Sequence, residues 1–117
     1  WAIDLDPGLA LAYFNAARCY HFTGEYKRAI RRYDMSIELD ASHANSYMGR
    51  AQSYDKLGKI HKALRDVKLA LAKDPQNPVF LRYHATYLTK FDQQKGWLKK
   101  AVSSVKSKLQ HHELNNA

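Results

Sequence analysis

The sequence predicts an all-α fold, an α-solenoid built from antiparallel helix pairs. Residues 9–40 recur thirty-four positions later as residues 43–74, and a fixed period of about 20 to 50 residues is typical of stacked repeats. Within each copy, apolar residues recur at three- and four-residue steps, which is typical of amphipathic helices. A glycine, Gly24 or Gly58, separates the two helical stretches of each copy, because glycine accepts the left-handed backbone at a helix end.

The two copies are identical at eight aligned positions, which include the small, aromatic and glycine positions of the unit. The pairs are Ala10 and Ala44, Tyr13 and Tyr47, Ala17 and Ala51, Tyr20 and Tyr54, Gly24 and Gly58, Ala29 and Ala63, Arg31 and Arg65, and Asp40 and Asp74. With Pro75 after the second copy, this spacing resembles the tetratricopeptide repeat family. The resemblance implies a segment of a superhelix that serves as a protein-interaction scaffold, with no catalytic activity and no cofactor.

The first repeat, residues 9–42, is expected to form helices from about Leu9 to Phe22 and from about Tyr26 to Leu39, with Leu9, Tyr13 and Ala17 facing inward. Residues 1–8 align with the ends of both copies. We therefore expect them to be the tail of a preceding repeat's second helix, in a chain that is part of a longer array.

The second repeat, residues 43–76, is expected to form helices from Ser42 or His43 to about Leu57 and over about residues 60–72. A divergent third helix pair, residues 77–112, is expected to cap the stack, and residues 113–117 to form a frayed tail. Asn77 before Pro78 is a typical helix start. Asp92 stands where a turn glycine is expected, so it is predicted to cap a final helix over about residues 93–110.

Composition narrows the class of protein further. The formal net charge is +8, and residues 41–75 and 76–117 carry the excess of basic over acidic side chains, which favours acidic partners. No apolar run is long enough for a membrane span. The single cysteine, Cys19, favours an intracellular, cytoplasmic protein and is expected to pack as a buried thiol.

The family resemblance also implies which residues bind a partner. First helices of such repeats line a concave groove, and the matching positions are taken here as candidates for binding an extended, acidic peptide: amides for its backbone and basic groups for its acids. The candidates are Asn15, Arg18, His21, Phe22, Asn45, Gln52, Asp55, Lys56, Arg82, Tyr83 and Lys90.

Other classes of function are weaker predictions. His21 and Asp55 occupy equivalent repeat positions and could form a hydrogen-bonded pair, but no nucleophile or oxyanion site accompanies them, so an enzyme is not expected. No histidine or cysteine spacing fits a metal site.

Two alternatives to peptide binding remain open. Lysines on the predicted fourth and last helices could bind nucleic acid, RNA in particular. Self-association through an exposed N-terminal end, formed by Trp1, Ala2, Ile3 and Leu5, is the other alternative.

Overall fold

The protein is described here as a computed structural model that covers residues 6–115. Over this range it contains five helices and no strand, which confirms the predicted all-α class. The helices are α1 (Pro7–Phe22), α2 (Tyr26–Leu39), α3 (Ala44–Lys56), α4 (Ile60–Lys73) and α5 (Pro78–Asn115).

Neighbouring helices pack in chain order, as the solenoid prediction requires. The two closest pairs are α1 with α2 and α3 with α4. The interfaces between α2 and α3 and between α4 and α5 then stack these units, and α1 also reaches α3. The molecule is elongated, 73 × 33 × 28 Å, because each unit packs only on its neighbours.

The close approach within each pair depends on alanine. Ala17 and Ala29 in the first unit, and Ala51 and Ala63 in the second, have no exposed surface. Side chains this small allow two helices to pack closely, and a larger residue would overpack the contact. The aligned alanines of the repeat are therefore its packing positions.

Glycine and asparagine define the turns as predicted. Gly24 and Gly58 have positive φ angles of 83° and 76°, in the left-handed region that side chains disfavour. At the start of α5, Asn77 Oδ1 accepts hydrogen bonds from the backbone amides of Val79, at 3.0 Å, and Phe80, at 3.2 Å. These contacts confirm Asn77 as the cap of a helix that begins at Pro78.

The predicted turn at Asp92 is wrong. α5 is one continuous helix of 38 residues that includes Asp92 and residues 113–115 of the predicted tail, so the third unit is not a helix pair. Aspartate stabilises a helix start only where the chain has already freed backbone amides. Between Val79 and Asn115 there is no proline, and Gly96 does not adopt a positive φ, so nothing in this stretch forces a break.

Because α5 does not turn back on itself at Asp92, no second helix packs over part of its surface. Ala85 occupies the repeat position of Ala17 and Ala51, which are buried, yet Ala85 is exposed. A second helix of the third unit would have covered it.

The first helix begins earlier than predicted. Asp6 caps it by accepting a hydrogen bond from the Gly8 amide at 2.8 Å, and Pro7 is its first residue. Residues 7 and 8 therefore belong to α1 and not to a preceding helix. The rest of the predicted preceding helix, including the apolar side chains proposed for self-association, lies outside the described residues.

Two burial predictions on α1 are also wrong. Leu9 is 44% exposed, whereas its neighbour Ala10 is buried. Cys19 is exposed as well. It lies two residues beyond Ala17, which is about 200° around the helix and therefore on the side away from α2.

A partly buried ionic group joins three helices. Arg50 on α3 donates from Nε and Nη2 to the two carboxylate oxygens of Asp66 on α4, both at 2.8 Å. Its third contact is with Asp34 on α2, at 2.9 Å. Burial opposes the charge on Arg50, but the hydrogen bonds to Asp66 and Asp34 outweigh it and raise the pKa of the guanidinium. This group ties the first repeat to the second.

Buried serines form a second connection between the repeats. The Ser36 hydroxyl donates to the Ala10 carbonyl at 2.9 Å, and Ser46 Oγ lies 3.0 Å from Ser36 Oγ and 2.7 Å from His43 Nδ1. Because each hydroxyl has one hydrogen, Ser46 must donate to Ser36, and His43 must donate to Ser46 from Nδ1. The hydrogen bonds therefore run in one direction, from His43 through Ser46 and Ser36 to the carbonyl of Ala10.

None of the helices described between residues 6 and 115 combines the length and apolar character needed to cross a membrane.

Candidate peptide-binding groove

A cavity of about 350 Å³ lies between α1, α3 and the start of α5. Its wall combines apolar and aromatic side chains with amides and one arginine. The lining residues are Phe14, Arg18, His21, Phe22, Tyr33, Asn45, Met48, Gly49, Gln52, Asn77, Val79 and Phe80. We call this cavity the groove.

Arg18 is the cationic group of the groove. Its guanidinium carbon lies 5.8 Å from the ring centroid of Phe14 and 5.9 Å from that of Phe22, so the two rings hold the charge by cation–π contacts. None of the ion pairs within residues 6–115 includes Arg18. The guanidinium can therefore pair with an acidic group of a ligand.

The floor of the groove depends on Gly49. A Cβ atom at this position would overlap the ring of Tyr33. With glycine there, Tyr33 reaches from α2 past α3 to the groove wall, although only 2% of it is exposed. Burial raises the pKa of the Tyr33 phenol to about 12, against a smaller opposing effect of Arg18. The phenol therefore stays neutral and can act as a hydrogen-bond donor.

Amides and a histidine supply the other polar groups. Asn45 is exposed and Gln52 half-buried, and each side chain offers both a donor and an acceptor. His21 Nδ1 lies 2.9 Å from Ser53 Oγ. Burial, and secondly the charge of Lys56, lowers the pKa of His21. The imidazole is accordingly neutral at physiological pH and carries no charge toward a ligand.

Five of the eleven predicted binding residues lie together in this wall: Arg18, His21, Phe22, Asn45 and Gln52. Of the remainder, Asn15, Lys56 and Arg82 are exposed but are not part of the groove lining that the described residues form. Tyr83 packs against the hydrophobic core, with its ring centroid 5.8 Å from that of Tyr87. Burying part of that ring favours a structural role over a binding role.

The hydrogen-bonded pair considered for His21 and Asp55 is absent from residues 6–115. His21 is hydrogen-bonded to Ser53, and Asp55 Oδ1 accepts a hydrogen bond from Lys90 Nζ at 2.8 Å. The Asp55–Lys90 pair joins α3 to α5 beside a second cavity of about 310 Å³, which Gly58, Ile60 and Trp97 also line. Asp55 and Lys90, both predicted to bind a ligand, therefore form an ion pair with each other.

Seven of the lining residues were not among the predicted binding residues, and three of these lie outside the groove-facing positions of the repeat. Tyr33 belongs to a second helix, which the repeat pattern assigns to the outer layer. Asn77 was predicted only as a helix cap, and Phe80 is 3% exposed and forms part of the core. The small residue at Gly49 was a signal that a neighbouring ring could approach there.

The basic side chains considered for nucleic-acid binding lie mostly at the surface. On and beside α4, Lys59, Arg65, Lys68 and Lys73 are exposed. Lys62 is half-buried, with Nζ 5.5 Å from the ring centroid of Tyr54. These positions are also compatible with an ordinary charged outer surface.

Comparison with known proteins identifies the repeats. Residues 10–43 and 44–77 match the family described as Tetratricopeptide repeat. These boundaries differ by one residue from those predicted, and the two matches together cover more than half of the chain. No curated protein shows significant similarity to it. Repeats of this family are generally protein–protein interaction modules. The chain belongs to the tetratricopeptide repeat family.

Proposed function

We propose that the groove binds an extended peptide segment of another protein, with an acidic side chain directed to Arg18. One observation carries this proposal: Arg18 lies between Phe14 and Phe22 and has no carboxylate partner among the described residues. Since two rings hold the guanidinium, little side-chain entropy is lost when it pairs with a ligand acid.

The rest of the wall fits the same ligand. Phe22 and Val79 offer exposed apolar surface to the ligand's side chains, while Asn45 and Gln52 can hydrogen-bond its main chain. The cavity volume of about 350 Å³ is at the lower end of ligand pockets. It accommodates a few residues of an extended chain.

Binding of fluorescent peptides, measured by anisotropy, tests the proposal. An array of short extended peptides, each made with and without a central glutamate, is expected to yield binders that require the acid. In the protein, Arg18→Gln is expected to weaken such a binder by at least about tenfold. The matched control Arg65→Gln removes the same charge from the exposed outer face of α4 and is expected to leave affinity unchanged.

Gln52→Ala separates the role of the amide from that of the charge. It is expected to weaken both members of a peptide pair, because it removes a main-chain contact. If Arg18→Gln and Arg65→Gln weaken binding equally, the ligand responds to overall charge and the groove is not its site.

A further inference from the structure

The second half of α5 carries an apolar face that nothing in the described part of the chain covers. Along it, Trp97, Leu98, Val102, Val105 and Leu109 are each more than half exposed. We call these five residues the distal stripe. Leu98, Val102, Val105 and Leu109 share one helix face, and Trp97, about 100° around the helix from Leu98, lies at its edge. Exposed apolar side chains grouped in this way are characteristic of an interaction surface.

The distal stripe continues an existing helix–helix interface. In the first half of α5, Phe80, Tyr87 and Phe91 pack against the core that α3 and α4 form. Steps of seven residues stay on nearly the same helix face, and Phe91, Leu98 and Val105 are spaced in this way. The face that binds α4 therefore continues past the Gly58 turn, where α4 begins and its surface no longer faces α5.

The spacing within the stripe indicates the shape of its partner. Leu98, Val102, Val105 and Leu109 follow one another at steps of four, three and four residues. This alternation is typical of a seam between two helices, where each side chain inserts between residues of the facing helix.

The charge beside the stripe indicates the chemistry of that partner. Between residues 91 and 115 there are five lysines, against Asp92 and Glu113. Helical geometry places Lys95 and Lys106 beside one edge of the stripe and Lys108 beside the other. None of the five takes part in an ion pair within residues 6–115.

We infer that the distal stripe docks an amphipathic helix of another protein whose apolar seam is flanked by acidic side chains. A second copy of this chain is disfavoured as the occupant, because it would bring lysines against lysines, and like charges at an interface suppress association. An acidic helix instead supplies the missing apolar cover and neutralises the lysines at both edges.

Fluorescence of Trp97 tests this inference, since 68% of that side chain is exposed and covering it should shift its emission to shorter wavelength. A Trp1→Phe background leaves Trp97 as the only tryptophan. The probe is a synthetic helical peptide of about three heptads with leucine at a and d and glutamate at e and g. Its control carries lysine in place of every glutamate.

The acidic peptide is expected to shift the Trp97 emission and to bind more weakly as salt is added, because exposed charges are screened. The lysine peptide is expected to cause no shift. Val102→Asn combined with Val105→Asn should lower the affinity by at least about tenfold. Ser103→Asn combined with Ser107→Asn, on the opposite exposed face of α5, should not, and circular dichroism verifies that both variants remain helical.

Four results obtained with the peptides or with the protein alone would overturn the inference. They are equal binding of both peptides, no binding of the acidic one, a stripe variant that binds as well as the parent protein, and a concentration-dependent dimer in sedimentation that the stripe variant abolishes. The last measurement replaces the peptide with vesicles of phosphatidylserine and phosphatidylcholine. A larger Trp97 shift with vesicles than with the acidic peptide would assign the stripe to a lipid surface and reject the helix.

Discussion

The ring of Tyr33 on α2 occupies the space in which a Cβ atom at position 49 of α3 would lie. Glycine at position 49 therefore permits the contact between the two repeats at the floor of the groove. The same contact brings a residue of the outer helix layer into the wall that faces the proposed ligand.

Gly49→Ala is expected to destabilise the protein by about 1–3 kcal/mol, because the added methyl group must displace the buried Tyr33 ring. The matched control is Gly96→Ala in α5, where an added Cβ would have no atom within 4 Å apart from the adjacent residues and the backbone of its own helix. Alanine there should stabilise the helix by about 0.5–1 kcal/mol. Urea denaturation of both variants measures the two changes, and equal effects would refute the packing argument.

Arg50→Met is expected to cost about 3–5 kcal/mol, because it leaves the buried carboxylate of Asp66 without its partner. Adding Asp66→Leu should recover much of this loss, since an apolar pair of similar volume can replace a buried ion pair. Arg28→Met, which removes the exposed pair with Glu25, should cost less than about 1 kcal/mol. If the double variant is no more stable than Arg50→Met alone, the lost stability results from packing and not from the unpaired charge.

Stability is expected to fall as the pH drops below about 6.5, the ordinary pKa of histidine, because the pKa of His21 is lowered in the folded protein. Between the folded and unfolded pKa values, the unfolded chain binds more protons, so acid favours unfolding. Well above pH 6.5 the imidazole is neutral in both states, so His21 contributes no slope there.

Thermal melting of the parent protein and of His21→Asn, recorded between about pH 7.5 and 5.5, measures the His21 contribution. The variant should show a smaller decline over that range. A decline of the same size in both proteins would assign the pH dependence to other groups.

Salt separates peptide binding in the groove from the nucleic-acid alternative. Affinity for an acid-containing peptide should change only modestly between about 50 and 200 mM salt, because one charge pair is involved. Binding of single-stranded RNA through many phosphates would fall by about 10³ or more over the same range. If Arg65→Gln reduces the RNA salt slope while Arg18→Gln does not, the outer face of α4 is a nucleic-acid surface.

The sequence predicted four of the five helices because their signals are local. The internal repeat fixes the spacing, the alanines mark the packing face, and Gly24 and Gly58 end the first helix of each unit. The bounds of α2 agree with the prediction residue for residue, Tyr26–Leu39. Asn77 and Pro78 likewise predict the start of α5, which begins at Pro78.

The features that were missed depend on contacts between helices. Whether Asp92 caps a helix depends on a break in the preceding backbone, and the repeat pattern alone suggested one. The pairing of Arg50 with Asp66, and of Asp55 with Lys90, joins residues 16 and 35 positions apart. Neither separation is a helical or repeat spacing, so only the packed arrangement reveals these partners.

The length of α5 has a consequence for local unfolding. Phe91 is the last of its residues that packs on the core formed by α3 and α4, and at about 1.5 Å per residue its tip at Asn115 lies roughly 36 Å farther along the axis. A helix segment without tertiary contacts is marginally stable in water, so its amide hydrogens should exchange with solvent long before those of α3 and α4. A docked partner would supply the missing contacts, and slower exchange along residues 97–109 would then map its footprint.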